Sequence, residues 1–455
     1  MEALLKRTRR GCSCQRSCYI FSQKSGDMPS SAEPQQRYTV AATVTTGVQN
    51  NLRLGAGVLF HFQVTARQSA LMDALCQPDY LCQRDCYFAA RCNALLCCSL
   101  ESMLIEENKP IATLTTFGIG GAARWFAEAT SEDEIVEATA WAAQRGVPLF
   151  VLGGGSNLLV ADAGFDGLVL RVGLRGITAT DEPGHRIYQV AAGEDFDHFV
   201  AFSTEAGCAG IECLAGIPGT VGGTPVQNVG AYGQEVSSAI VRVRAFDLQE
   251  RAFVEFGAAE AGFAYRRSRF NSVDRGRYIV TRVDYRLTLG GAPTVRYADL
   301  QRALAELQVE GRQASLAEVA EQVRRVRQLK GMLLVEGDPD CRSAGSFFKN
   351  PVVGEEQLRQ IAAASGKEPP RFPAGPEPEN QGKVKLPAAW LIEQSGFSKG
   401  YALGRVAISS RHTLALTNRG GATATEVLAL AGRISDAVEV CFGIRLEMEP
   451  VMVGF

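Results

Sequence analysis

At 455 residues the chain exceeds one typical domain, so two or three are expected. Hydrophobic residues make up 46% and charged residues 21%, the balance of a globular protein, and a net charge of −2 supplies no basic field, so nucleic acid is not an implied partner. No apolar run approaches the roughly 18 residues of a membrane span, and the basic opening MEALLKRTRRGCSCQR leads into no apolar core; neither a membrane partner nor a secretory signal is expected, and the globular part reads as cytoplasmic.

Cysteine divides the chain. Nine of the 13 lie in the first 98 residues, and only Cys208, Cys213, Cys341 and Cys441 follow. Four scattered cysteines fit a reducing compartment. The N-terminal group could be a metal module, but zinc knuckles need paired cysteines at a regular separation and the spacings here are irregular. Residues 1–103 are therefore expected to be an unstructured extension, or sequence upstream of the true start, and no metal site is expected. Met103 stands directly before the first organised segment.

Beyond it, local signals agree. Ser131 and Glu134 form a capping box that opens a helix with Ile135, Ala138 and Ala142 on one side, stopped by Gly146 and Pro148. Two short buried strands follow, 148–153 and 168–172. Residues 195–206 read as a helix with Gly207 as its stop. The segment 277–289 alternates, with Ile279, Val283, Tyr285, Leu287 and Leu289 on one face of a half-buried strand. Ser315 and Glu318 cap a basic helix ending near Lys330. The Pro-rich piece 371–383 reads as a loop. Thr423 and Glu426 cap a final helix with Val427, Leu430, Ile434, Val438 and Cys441 at helical spacing. Strands and helices interleave, so the class is α+β or α/β.

Two glycine-rich segments carry the chemistry. VLGGGSNLLVADAGFDG (151–167) runs a strand into Gly153, Gly154 and Gly155, then Ser156 and Asn157. GIPGTVGGTPVQNVGAYG (216–233) holds Gly216, Ile217, Pro218, Gly219, Thr220 and Gly223, and cannot be a regular helix or strand. A diphosphate needs several backbone N–H groups, which glycine lets approach. One such run would be a plain turn; two point to a large phosphate-bearing cofactor. There is no G-x-x-x-x-G-K-[ST], so a P-loop is excluded, and GIGGAA (118–123) reads as a turn.

TTFGIGGAARW, VLGGGSNLLV, AGIPGTVGG, VQNVGAYG, FAYRRSRF, AGSFFKNP and LEMEPVMVG occur in the order found in the UDP-N-acetylenolpyruvoylglucosamine reductase family, which the chain resembles from about Leu104 to Phe455. The resemblance implies an α+β fold: a two-lobed FAD-binding domain of the vanillyl-alcohol-oxidase (PCMH) type and a C-terminal α+β substrate domain. The first lobe would be 104–172 with 446–455, the second 173–325 and the substrate domain 326–445. It implies noncovalent FAD, NADPH as co-substrate, UDP-N-acetylglucosamine enolpyruvate as substrate and a monomer. NADPH would reduce the flavin and leave, and the enolpyruvyl substrate would take its place.

Residue by residue, the same resemblance implies three catalytic groups. Ser346, in AGSFFKNP and outside any G-x-S-x-G elbow, becomes the proton donor, and its high ordinary pKa demands nearby stabilising donors. Arg266, otherwise a loop arginine among Arg267 and Arg269, becomes the cation that holds an enolate. Glu449 is selected over Glu447 by counting from Gly443; here Met448 precedes it and Pro450 follows. Tyr297 and Lys330 resemble the residues over the substrate diphosphate, Tyr297 marking the subtype that closes a tyrosine loop. The stretch from Lys330 to Ser346 is longer than in the familiar form, which anchors Lys330 less firmly. Arg324, Arg325 and Arg327 read as a solvated helix face. Tyr265, Asn350, Gln227 and Tyr232 become sugar or enolpyruvyl contacts. His412 is either a sugar-pocket residue or a surface histidine. Two other readings stand beside this one: an oxidase of the same flavin fold, against which His185 and His198 lie outside both glycine segments, and a metal-binding or interaction protein defined by its first 100 residues.

Overall fold

The computed structural model describes residues 19–24, 37–43, 59–62, 103–306, 314–375 and 378–455. The chain divides into two compact units, Met1–Ser102 and Met103–Phe455. In the first, β1 (Tyr19–Lys24) pairs antiparallel with β2 (Arg37–Thr43), which runs parallel to β3 (Leu59–Phe62). All nine cysteines of this unit, and most of the expected extension, lie outside the described residues.

The second unit begins with a four-stranded sheet in the order β4-β5-β8-β6, made of β4 (Ile105–Pro110), β5 (Ala122–Ala129), β6 (Leu149–Leu152) and β8 (Phe165–Val172). GIGGAA is the turn that feeds β5, as expected. β8 lies parallel between β5 and β6, and Leu168, Val169 and Leu170 are buried in succession. A strand covered on both faces reads as such a continuous apolar run. One cover is α1 (Glu132–Arg145), capped as its sequence requires: Ser131 Oγ accepts from Glu134 N at 3.2 Å and Glu134 accepts from Ser131 N at 3.2 Å. Its buried face is Ile135, Ala138, Thr139 and Ala142, and Gly146 ends it at φ +61, a left-handed value that glycine adopts freely. Trp141 meets Trp125 of β5 edge-on, centroids 5.6 Å apart.

Between β6 and β8, β7 (Leu158–Val160) leaves that sheet and pairs parallel with a strand from the far end of the chain, β23 (Val451–Val453). The sequence thus closes on itself.

A second, antiparallel sheet follows: β9 (Ile177–Glu182), β10 (His185–Ala191), β11 (Cys208–Ala209), β14 (Ile240–Asp247), β15 (Ala252–Gly257) and β16 (Tyr278–Leu289), in the order β15-β14-β16-β10-β9 with β11 beside β16. A hairpin of β12 (Gly230–Ala231) and β13 (Gln234–Glu235) stands apart. β16 is central and not merely half-buried. Ile279, Val283, Tyr285 and Leu287 are buried as the alternation demands, but so are Val280 and Asp284 on the other face. There Arg282 and Arg242 pair with Asp284 at 2.7 and 3.7 Å. Leu289, beyond the cover, is 40% exposed. Tyr285 packs on Phe199 of α2 (Phe196–Glu205), centroids 4.9 Å apart. Asp195 caps α2 by accepting from His198 N at 2.8 Å. Glu132 ties α1 to this second sheet, accepting from Arg244 Nε at 2.8 Å and Thr281 Oγ1 at 2.8 Å; the Arg244 hydrogen bonds hold its carboxyl below the usual range.

α3 (Ala298–Glu306) and α4 (Leu316–Leu329) complete this half. One core runs from Met103 through both sheets to Val319, Ala320 and Val323 of α4.

The C-terminal part holds β17 (Val352–Gly354), α5 (Glu355–Ser365), β18 (Phe372–Pro373), β19 (Lys383–Lys385), α6 (Ala388–Gln394), β20 (Ala402–Leu403), β21 (Val406–Ile408), β22 (Leu416–Asn418) and α7 (Ala424–Phe442). Its core also takes in Phe117, Ile119 and Leu159 from the segments around the four-stranded sheet. Two expectations change here. The Pro-rich piece is not all loop: Phe372 and Pro373 form an edge strand on β19, the sheet position where a missing N–H is tolerated. On α7, Val427, Leu430, Ile434 and Val438 are buried but Cys441 is exposed; Phe442 takes the buried place in the last turn.

Candidate active site

The two glycine segments abut. β6 runs directly into Gly153–Gly155, and a Cβ on Gly154 would stand 2.5 Å from Gly219 Cα, one on Gly153 2.9 Å from Thr220 Oγ1. Gly155, at φ +65, would place its Cβ 2.0 Å from the Leu114 carbonyl oxygen. Glycine is demanded first by contact between the two segments, which revises the expectation that Gly154 is bare to make room for a ligand. Gly219 O accepts from Phe196 N at 3.1 Å and Glu194 O from Val221 N at 2.9 Å, so the second segment is tied to the entry of α2. The N–H groups of Gly154, Gly155, Ser156, Gly219 and Thr220 have no acceptor among the described residues. Gly223 has open space where its Cβ would lie. Gly216 donates to Asp197 at 2.6 Å, and Asn157 Nδ2 donates to Gln227 Oε1 at 2.6 Å across the segments.

Beside them opens a cavity of about 660 Å³. Ser156, Asn157, Ile217, Pro218, Gln227, Tyr232, Tyr265, Arg266, Tyr297, Lys330, Ser346, Asn350 and Glu449 all line it; Gly153, Gly154, Gly155, Gly216, Gly219, Thr220 and Gly223 do not.

At one end, AGSFFKNP pairs with LEMEP. Glu449 N donates to Phe347 O and Lys349 N to Glu447 O, both at 2.9 Å, with Phe348 and Met448 opposite each other. Phe347 and Phe348 are buried anchors, so Ser346 and Glu449 are fixed by backbone pairing and packing. Ser346 Oγ has no hydrogen-bond partner among the described residues. Glu449 has a side chain 11% exposed, whereas Glu447 is 70% exposed and paired with Lys349, so Glu449 is the carboxylate in the cavity. Burial raises the Glu449 pKa, against the pull of Arg266 and Lys349.

Arg266 sits at φ +54 in a tight hairpin closed by Ala264 N to Arg267 O at 2.9 Å and Arg267 N to Ala264 O at 3.1 Å. Positive φ is uncommon for a residue with a Cβ, and Asn271 Nδ2 holds the turn through Arg266 O at 3.1 Å. The guanidinium faces Glu449 Oε1 at 2.9 Å from Nε and donates from Nη1 to Gly230 O at 3.1 Å. Its Nε–H is buried but not aligned on any acceptor among the described residues, so the Glu449 contact is an ion pair by proximity. Tyr265, its phenol pushed up by burial, has the Lys385 Nζ 4.1 Å from its ring centroid. Asn350 Oδ1 accepts from Ala388 N at 2.9 Å, which orients the amide on α6.

At the other end, Tyr232 and Tyr297 meet edge-to-face, centroids 5.4 Å apart, with Lys330 Nζ 5.8 and 5.6 Å from the two rings. Lys330 also pairs with Asp299 at 2.7 Å. Burial opposes its charge, but Asp299 and the phenols outweigh it, and its pKa stays above the ordinary lysine value. The two tyrosines share an anchor that no motif signals. Glu212, fully buried, accepts from Gly210 N at 2.7 Å, from Gln234 Nε2 at 2.8 Å on the Tyr232 hairpin and from Thr294 N at 2.9 Å, three residues before Tyr297.

The solvated reading of the α4 arginines holds for Arg325 alone. Arg327 is 8% exposed and lines the cavity, donating from Nε to Gly216 O at 3.0 Å and from Nη2 to Met332 O at 2.7 Å; Arg324 pairs with Asp197 at 2.7 Å. His412 belongs to the cavity wall. Its Nδ1 accepts from Leu414 N at 3.2 Å, which leaves the proton on Nε2, and burial together with Lys330, Lys399 and Arg327 brings its pKa down to about 4.

Known families match both halves of this site. The model of an FAD binding domain matches residues 123–250, and that of the UDP-N-acetylenolpyruvoylglucosamine reductase C-terminal domain matches residues 338–453. The chain is 46% identical over 357 residues to the UDP-N-acetylenolpyruvoylglucosamine reductase of Thermobifida fusca, a match covering 76% of this chain and 98% of that protein. The Streptomyces coelicolor reductase is 45% identical over 365 residues, covering 78% and 92%. The chain belongs to the UDP-N-acetylenolpyruvoylglucosamine reductase family. Among solved structures, the family's reductase from Thermus caldophilus superposes with a TM-score of 0.52 at 27% identity, covering 77% of this chain and 99% of that one. As a member of the family the chain is an FAD-dependent oxidoreductase, and its residues fit the cofactor. Unpaired N–H groups on two abutting glycine segments are the donors a diphosphate needs.

Proposed function

We propose that this cavity reduces the enolpyruvyl ether of UDP-N-acetylglucosamine enolpyruvate to UDP-N-acetylmuramate, a peptidoglycan precursor, with NADPH as electron source. FAD supplies the two-electron chemistry when bound; the N–H groups of Gly154, Gly155 and Ser156 and of Gly219 and Thr220 would hold its diphosphate. The observation that carries the reading is the pairing of AGSFFKNP on LEMEP, which sets Ser346 and Glu449 in one cavity with Arg266.

Ser346 Oγ holds the proton that goes to the substrate carbon next to the carboxylate. Arg266 stabilises the negative charge on the enolate formed there, and Glu449, beside its guanidinium, completes that stabilisation. Burial raises the Glu449 pKa against the pull of Arg266 and Lys349. Tyr297, Tyr232 and Lys330 receive the substrate diphosphate, Tyr297 as the closing tyrosine of its subtype, and Asn350, Gln227 and Tyr265 contact the sugar or enolpyruvyl group. In this reading residues 104–172 with 446–455, 173–325 and 326–445 are the two cofactor lobes and the substrate domain of a cytoplasmic monomer. No helix among the described residues is long and apolar enough to cross a membrane.

The test is the absorption spectrum of the purified protein. NADPH should bleach a flavin band and the enolpyruvyl substrate restore it. A band that NADPH bleaches but only oxygen restores would favour an oxidase instead.

A further inference from the structure

Arg411 sits at the cavity wall and belongs to none of the groups assigned above. Its guanidinium joins three separate pieces of chain. Nη1 donates to Gln328 O at 2.9 Å, in the last turn of α4. Nε donates to Asp340 Oδ2 at 3.1 Å, and Nη2 reaches both carboxylate oxygens of Asp338. Asp340 is itself fixed: it accepts from Ser410 N at 3.1 Å and Ser410 Oγ at 2.5 Å and pairs with Arg419 at 3.0 Å, its side chain 3% exposed.

We propose that Arg411 is a positioning residue for substrate binding, acting through Lys330. The last carbonyls of a helix have no intrahelical partner, and whatever caps them sets the direction of the final turn. Gln328 lies two residues before Lys330; its carbonyl accepts from Gly331 N at 3.0 Å and from Arg411 as second donor, so the two together fix where Lys330 leaves the helix. Gly331 records the same contact: at φ +65, a Cβ there would lie 2.9 Å from Asp340 Cβ and 3.1 Å from Arg411 Nε. The turn after Lys330 therefore rests on the Arg411–Asp340 pair. The long stretch between Lys330 and Ser346, which weakened Lys330 as a sequence assignment, supplies both aspartates. A planar guanidinium with fixed donor directions suits such a junction, and an ammonium, with three donors on one atom, cannot span the four acceptor oxygens met here.

The inference rests on the reading of Lys330 as a diphosphate contact, and a double-mutant cycle separates the two. Arg411→Ala, Lys330→Ala and the double variant are compared by KM for the enolpyruvyl substrate, kcat and melting temperature, all with FAD bound. Each single change should raise KM on the order of 10-fold, the worth of one charge-assisted contact, with kcat changed less. The double variant should be no worse than Lys330→Ala alone, and Arg411→Lys should fall between wild type and Arg411→Ala. Multiplying effects, roughly 100-fold in the double variant, would mean that Arg411 acts independently of Lys330 and would overturn the proposal. So would a lowered melting temperature with KM unchanged in Arg411→Ala. If Lys330→Ala alone leaves KM unchanged, the reading of Lys330 fails and the inference falls with it. Should Arg411→Ala not fold, Asp338→Asn loosens one side of the junction only; its smaller rise in KM should likewise vanish in the Lys330→Ala background, and a rise that persists there overturns the proposal.

Discussion

The two ends of the cavity are built on opposite plans. Around Ser346 the polar groups are left open: its Oγ has no partner among the described residues, Arg266 Nε–H is buried without an aligned acceptor, and burial pushes the Glu449 pKa up. Around Lys330 each cation is tied down, Lys330 to Asp299, Arg327 to two carbonyls and Arg411 to two carboxylates and a carbonyl. Open groups in a dry site interact strongly with charge as it develops, whereas tied groups give affinity and orientation. The first end should therefore govern turnover and the second KM.

Ser346→Ala breaks the comparison most sharply. Flavin reduction by NADPH requires no proton on the substrate and should proceed nearly unchanged, while the oxidative half-reaction slows by ~10²–10⁴-fold, the usual cost of a lost general acid. Ser346→Cys should keep more activity than alanine. Stopped-flow absorbance follows each half; equal slowing of both would make Ser346 a structural residue.

Gly154→Val comes next. Its side chain must displace the Gly219 backbone, so flavin loss should be accompanied by destabilisation of roughly 1–3 kcal/mol or more. A flavin-to-protein ratio and melting temperature equal to wild type would refute the packing of the two segments.

At the tied end, His412 sharpens the contrast through pH. Its folded pKa is about 4 against 6.5 for the free side chain, so between these values the unfolded chain binds the extra proton. Stability should accordingly fall as pH drops through this window, by about 2 kcal/mol between pH 7 and 5 from this residue. His412→Asn, which keeps an acceptor for Leu414 N, should remove that share of the slope in urea unfolding at the two pH values.

The smallest effect is expected from a chain that begins at Met103. Met103 is already 8% exposed in the core, and every residue of the cavity lies beyond it. Such a chain should bind FAD and turn over at the full rate, and failure to bind flavin would give residues 1–102 a role in the site.

What the sequence made legible was local chemistry. The Ser131, Ser315 and Thr423 boxes cap helices as read, and the choice of Glu449 over Glu447 agrees with the burial of the two carboxylates. Misread features depended on partners distant in sequence. Alternation in 277–289 shows one apolar face but not the ion pairs that bury Asp284 on the other, and helical spacing does not tell where α7 stops facing the core. Arg327 looks like its neighbours until Gly216, 111 residues away, supplies its acceptor. Glu212 and Arg411 lie in no motif, because a buried carboxylate or guanidinium that organises backbone needs only scattered N–H and carbonyl groups around it.

Asn157 Nδ2 touches the Glu449 carbonyl at 3.4 Å across 292 residues, and Val451 N donates to Asn157 O at 2.9 Å. Closing so long a loop costs more entropy than closing any of the local hairpin turns, and contacts of this separation arise late when a chain refolds. During refolding the two large sheets can form while β7 still lacks β23 and Glu449 is still absent from the cavity. Recovery of catalysis should therefore trail recovery of the circular dichroism signal, with the last strand to dock setting the delay.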